Sequence, residues 1–369
     1  MVDYVEVVEA DCDFNHFVRD FNPDELEINC SNWDKLKMGE VLGHGRSRQV
    51  VEATWKGNKV AVKQPLHDDR QKSRPGEVLR VAALNNQLAQ SENIAKIIGM
   101  CDSSLVFEYA PTLLKSVVFD EEKLSVERSL HLGLDIVKGL AQLHSIGPVV
   151  HGDLRISQYL VNLEGRVLLG DLESSRYVGP DRNGNKCTFW KKAGGKGTFN
   201  SPERLSESAE LDEKTDIYRN ALTLWTVFTR EFPFQGEEDV KDLVLSGERP
   251  SLDALEGYPQ EVKDMLVEAW DVDPTKRPSA EDMVKTMTAI VKNYKPEKSG
   301  DGNEEYGEEN EDEDDDLDDM APYVAAYNHH YAAKKNSVQE DIESADDNEY
   351  GEEKDSGDGV TLKKATTTT

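Results

Sequence analysis

Five residues stand in settings where charge could be handled chemically: Gly43, Gly45, Lys63, Asp153 and Asp171. Gly43 and Gly45 lie in LGHGRSRQV. A glycine pair lets the backbone approach phosphate oxygens and offers amide N–H donors to them, although an ordinary hairpin turn looks the same. Lys63 follows in VAVK, a lysine inside an otherwise apolar strand, whose charge must find an anion or snorkel to solvent. Far downstream, Asp153 stands in VVHGDLRISQ and Asp171 in RVLLGDLESS. Each carboxylate comes just past an apolar strand, where a hairpin would deliver both into one cleft. Singly they are turn formers; as an ordered set with the glycines and the lysine, chance explains them poorly.

The elements that must position these residues show in the period and punctuation of the chain. KLKMGEVLGHG reads as a strand running into a glycine turn and QVVEATW as a second strand. NKVAVKQP is a third, after the Lys56-Gly57-Asn58 turn, and Val50, Val60, Ala61 and Val62 give the composition of paired antiparallel strands. Residues 76–90 place Val78, Val81, Ala82 and Leu88 at helical spacing, and KIIGMC and SLVFEYA read as two further strands. After Tyr109 the pattern turns helical, in VERSLHLGLDIVKGLAQLH, TDIYRNALTLWTVFT, YPQEVKDMLVEAW and SAEDMVKTMTAIV. The outline is a small strand-rich lobe followed by a larger helical one.

Over 369 residues, 43 Lys and Arg face 73 Asp and Glu, a formal net charge of −30. Phosphate backbones and anionic lipid repel such a surface, so neither nucleic acid nor a membrane is an expected partner. Much of the excess is terminal: residues 297–369 hold 24 acidic and 6 basic side chains. With almost no aliphatic content, residues 295–369 are expected to form a disordered acidic tail, either merely solvating or able to capture a basic partner. The pentapeptide Glu-Tyr-Gly-Glu-Glu occurs there twice, at 305–309 and 349–353. Residues 1–32 form an acidic extension, for which a packed strand or helix and disorder are equal alternatives. Cys12, Cys30, Cys101 and Cys187 lie far apart without a CxxC pair, so no disulfide framework or zinc ribbon is suggested and a reducing compartment is expected. With neither a signal-peptide pattern at the start nor a run of about 20 apolar residues, the expected setting is cytoplasmic, the nucleus not excluded.

Together the motifs resemble the protein kinase family, in its tyrosine-kinase or tyrosine-kinase-like flavour, from about residue 33 to 294. LGHGRSRQV resembles the Gly-rich loop, VAVK the lysine strand, FEYA the hinge, HGDLRISQ the catalytic loop and GDLE the metal-binding motif. SPE (Ser201–Glu203) resembles the end of the activation segment, Asp216 opens a buried helix, and Arg277 is the family's partner for Glu203. The resemblance implies an α+β bilobal fold, with an N-lobe over 33–108 and a C-lobe over 109–294. It implies ATP held by Gly43, Gly45, Val50, Ala61, Lys63, Phe107 as gatekeeper, Glu108 and Ala110, with Glu77 orienting Lys63. It further implies Asp153 and Arg155 at the transferred phosphate, Asp171 and Gln158 on Mg²⁺, and a protein hydroxyl as acceptor.

Departures from the family pattern are as specific. Arg48 replaces the third glycine of the loop, and Gly152 the arginine before the catalytic aspartate. Gln158 replaces the metal-binding asparagine, Leu172-Glu173 the Phe-Gly after the metal aspartate, and Lys196 falls where Ser/Thr kinases carry threonine. Three functions therefore stand: an active divergent protein kinase, a pseudokinase that binds ATP or scaffolds, and a kinase-like phosphotransferase for a small molecule.

Overall fold

The computed structural model describes residues 15–45, 47–66, 75–120, 124–181, 184, 187, 197–206 and 211–296. The acidic tail from 297 onward, Lys196 and Cys12 lie outside the described residues.

Period-two alternation builds the first lobe. Strands β1 (Lys37–His44), β2 (Arg48–Trp55), β3 (Asn58–Pro65), β4 (Ile97–Cys101) and β5 (Ser104–Glu108) form one antiparallel sheet in the order β1-β2-β3-β5-β4. Val51, Ala53 and Trp55 of β2, Val60 and Val62 of β3 and Val106 of β5 are buried on one face with Ile28 and Leu36. Side chains of alternate parity fall on the other face. There the register sets Val50 opposite Lys63 and Lys63 opposite Leu105, with Ala61 opposite Phe107. Val50, Ala61, Lys63 and Phe107, all expected to meet a nucleotide, thus share one face of the sheet, while Glu108, opposite Val60, has the other parity.

The segment before β1 packs on this lobe. Helix α1 (Asn15–Arg19) lies against α2 (Pro75–Gln87), the helix that follows β3. Ile28 makes a parallel bridge with Gly99: its amide donates to the Ile98 carbonyl at 3.1 Å and its carbonyl accepts from the Met100 amide at 2.9 Å. A Cβ on Gly99 would collide with Ile28, so only glycine admits this approach. The bridge brings Cys30 beside Cys101, and the two are joined as a disulfide across 71 residues of sequence. The expectation of reduced, unpaired cysteines is thereby corrected; spacing alone could not show that the extension runs alongside β4.

The second lobe is helical. Short strand β6 (Thr112–Leu113) leads into α3 (Leu114–Asp120) and the long α4 (Val126–Ser145), capped by the Ser125 side chain accepting from the Arg128 amide. Short strands β7 (Val149–Val150), β8 (Tyr159–Val161), β9 (Val167–Leu169) and β10 (Arg176–Tyr177) carry the loops that hold Asp153 and Asp171. Helices α5 (Pro202–Leu205), α6 (Glu213–Thr229), α7 (Val240–Ser246), α8 (Gln260–Ala269) and α9 (Ala280–Asn293) complete the lobe, with α4 packed on α6 and α9. The bilobal α+β fold is the expected one; α3 and α7 were not anticipated, being too short to display a helical period.

Candidate active site

Lys63 occupies the centre of the cleft edge. Its Nζ lies 2.8 Å from Asp171 Oδ1 and 3.0 Å from Glu173 Oε1. Burial pulls the ammonium down, but the Asp171 and Glu173 carboxylates overcome it, so Lys63 titrates above the ordinary lysine value. Burial likewise pushes Asp171 up, and Lys63 first, then His151 and Arg155, bring it below the usual carboxylate range. Asp171 sits in the left-handed region, with φ 53° and ψ 58°, a conformation uncommon outside glycine and one that functional sites retain.

Glu173, not Glu77, pairs with Lys63. Glu77 stands exposed in the first turn of α2, and both carboxylates on Lys63 come from the turn after β9. The physical reason lies along α2 and not in its rotation: Glu77, four residues before Val81, is on the same face but stands in the exposed first turn. Val81 and Asn85 of that helix line the cavity beside Lys63 and Phe107. Arg80, on the same side, donates to the Glu173 carbonyl at 3.2 Å. The helix offers a cation to the metal-motif turn, and the turn offers the acid to the lysine. Arg48 joins the arrangement: its Nε lies 3.3 Å from Glu173 Oε1, and its Nη1 donates to the Ser103 carbonyl at 2.8 Å. The stiff residue in place of the third glycine therefore ties the glycine loop to Glu173. Leu172 takes the neighbouring position as a buried apolar residue of the main core.

The Asp153 carboxylate is held on both oxygens. Arg219 of α6 donates to Oδ1 at 3.1 Å, and Gln158 Nε2 donates to Oδ2 at 3.1 Å, with Arg155 Nη2 3.9 Å from Oδ2. Gly152 has φ 77°, a backbone conformation that costs glycine nothing, and its carbonyl accepts from Arg204 Nη1 at 2.7 Å. Sequence reasoning missed Arg219. The signal was available, since an arginine inside DIYRNALTLW is as unusual as a lysine inside VAVK.

Under this loop lies a charged frame. Asp216, fully buried at the start of α6, accepts from the His151 amide at 2.6 Å and the Gly152 amide at 3.1 Å, and lies 3.2 Å from His144 Nε2. Burial pushes its carboxyl up, and His144 above all holds it below the usual range. His144, near the end of α4, and His151 thus frame the catalytic loop. Arg277 meets Glu203 with both prongs, at 2.8 and 2.9 Å. This pairing is the one expected from the resemblance.

The donor chemistry fits a hard cation and a polyphosphate. Asp171 and Gln158 offer carboxylate and amide oxygens, the ligand type Mg²⁺ takes. Gln158 turns its Nε2 to Asp153, so its oxygen is the atom left for a metal. Nothing lies within 4 Å of where a Cβ of Gly43 would stand, so that glycine leaves room instead of filling a contact.

A fold of this outline, with a lysine, two loop aspartates and an Asp216 frame, defines a protein kinase domain. A family model described as protein tyrosine and serine/threonine kinase matches residues 36–287, and the chain belongs to that family. Among curated proteins, it is 28% identical over 276 residues to the mitogen-activated protein kinase kinase kinase 7 of Homo sapiens, covering 71% of this chain and 43% of that protein. It is 27% identical over 285 residues to the probable serine/threonine-protein kinase roco7 of Dictyostelium discoideum, covering 71% of this chain and 10% of that protein. Against the probable serine/threonine-protein kinase drkD of the same organism the identity is 27%, over 75% of this chain and 21% of the relative. The chain thus spans less than half the length of these relatives. Among the described residues, no helix is long and apolar enough to cross a membrane.

Proposed function

We propose that the chain is an active, divergent protein kinase that transfers the γ-phosphate of ATP to a protein hydroxyl with Mg²⁺. The observation that carries this reading is the pairing of Lys63 with Asp171 in the same cleft as a doubly held Asp153. Magnesium, when bound, neutralises charge on the phosphates. In this proposal Asp171 and Gln158 hold it; Val50, Ala61, Phe107, Glu108 and Ala110 receive the adenine; and Gly43 and Gly45 give the phosphates room. Lys63, kept charged by Asp171 and Glu173, binds phosphate oxygens; Arg155 faces the transferred group. Asp153 accepts a hydrogen bond from the acceptor hydroxyl and takes its proton as transfer proceeds. These roles are electrostatic and positional, which is most of what this chemistry asks of a protein.

One observation favours a second reading, a pseudokinase that binds ATP or scaffolds without turnover. Arg48, Glu173 and Lys63 form a linked set across the mouth of the phosphate site, a tie between glycine loop and metal-motif turn that serves a binding or scaffolding domain without any turnover. Radiolabelled γ-phosphate transfer to general protein substrates, then to small hydroxyl compounds, separates these readings. We expect transfer to protein, abolished by Asp171→Asn; binding of Mg-ATP without transfer would establish the pseudokinase, and transfer to small molecules alone would overturn the protein acceptor.

The cytoplasmic setting expected from the sequence requires Cys30 and Cys101 to be reduced in the cell, whereas an oxidising compartment keeps them joined. The mass of the chain alkylated at lysis decides between the two. A basic partner for the acidic tail remains part of the proposal.

A further inference from the structure

Arg219 lies at the middle of α6, its side chain 4% exposed, and its donors reach three different groups. Nε donates to the Leu154 carbonyl at 2.9 Å, Nη1 to Asn200 Oδ1 at 3.1 Å and Nη2 to Asp153 Oδ1 at 3.1 Å. A buried guanidinium is costly unless its donors are met, and its planar fork fixes the groups it meets. Here one such group is the reacting carboxylate itself. Asp153 keeps 27% of its side chain exposed. With Oδ1 anchored from below and Oδ2 touched by the Gln158 amide, the carboxylate has one orientation open to the cleft.

We propose that Arg219 is a positioning residue for phosphoryl transfer, fixing the Asp153 carboxylate so that its second oxygen faces the acceptor hydroxyl. This rests on the kinase reading. A neutral or apolar side chain at this place in α6 would release Oδ1 and leave the carboxylate held through Oδ2 alone. Misplacing a reacting group by a fraction of an ångström is felt in turnover and not in ATP affinity, because Asp153 meets the acceptor and not the adenine or the metal.

The test is a double-mutant cycle of Arg219→Met and Asp153→Asn, read by single-turnover transfer from Mg-ATP, with calorimetric Mg-ATP binding measured on each variant. Arg219→Met is expected to lower the transfer rate by roughly 100-fold while leaving the Kd for Mg-ATP within about twofold. In the Asp153→Asn background the same change should cost less than about threefold, since residues that act as a unit are not additive. Arg219→Lys should recover part of the loss. Equal losses in both backgrounds, or ATP affinity falling in step with rate, would overturn the proposal in favour of a general structural role. Should Arg219→Met not fold, Arg219→Lys and Asn200→Ala carry the same cycle with the charge retained. If the parent chain transfers no phosphate, the kinase reading falls and this inference with it; an active parent with an additive cycle refutes this inference alone.

Discussion

Beneath the catalytic loop, Arg277 grips Glu203 with two prongs and Asp216 gathers two backbone amides and a histidine. At the mouth of the cleft, Lys63 and Arg48 share the single carboxylate of Glu173, itself 39% exposed. The two regions use charge differently. In the frame Arg277 and Asp216 are fully buried, and the Arg277–Glu203 contact is one the family's motifs name in advance. In the cleft the partners have been exchanged: the acid that serves Lys63 has moved from α2 to the metal-motif turn, and an arginine has moved onto Asp153. What the comparison teaches is that the buried frame fixes the fold, and the change of acid at Lys63 is compatible with it because the Glu173 side chain stays partly solvated. An ion pair whose carboxylate keeps part of its solvation contributes less than a fully buried one, so its partner can change without loss of the structure.

The frame should fail most severely when broken. Glu203→Gln leaves the fully buried Arg277 guanidinium without its counter-charge, which is expected to cost about 3–5 kcal/mol, or roughly 10 °C in Tm for a domain of this size. Burial pushes Glu203 up, but Arg277 holds it below the usual glutamate range. Its contribution is therefore complete above the unfolded-state glutamate value and is lost as pH falls through the lowered folded value. Melting curves against pH should show this acid limb in the parent and a weaker one in Glu203→Gln. An unchanged Tm would mean that the frame is not what holds the lobe.

A smaller effect is expected where the extension meets β4. Cys101→Ser removes a cross-link spanning 71 residues and should destabilise by about 2–4 kcal/mol. Denaturant titration with and without reductant is the check. In reductant the parent and the variant should match, and without it the variant should be the weaker; a variant as stable as the oxidised parent would show the staple to be idle.

These regions also differ in how much could be read from sequence. Glu203, Arg277 and Asp216 were legible because each lies within a motif and their meeting follows from the fold. Gly43, Lys63, Asp153 and Asp171 were legible as an ordered set for the same reason. Glu77 was assigned to Lys63 because helical spacing locates a face but not how far along it the cleft lies, and the structure sets Val81 and Asn85, one and two turns further on, against the cavity. Glu173 was read as an acid beside the metal, since nothing local shows that Arg48 and Lys63 converge on it. Arg219 was hidden in an apolar stretch, where period reports burial and says nothing of what a buried charge touches. Cys30 and Cys101 meet only because the extension pairs with β4, a long-range register that spacing does not encode.

The most direct test of the exchange at the cleft is the affinity of Mg-ATP for two variants, Glu173→Gln and Glu77→Gln, measured by calorimetry beside the parent. An ion pair whose carboxylate is partly solvated is worth about 1 kcal/mol, so Glu173→Gln should weaken binding by roughly three- to fivefold. Glu77→Gln should leave it within about twofold. The reverse order, with Glu77→Gln weakening Mg-ATP and Glu173→Gln leaving it unchanged, would contradict the account and return the lysine's partner to α2.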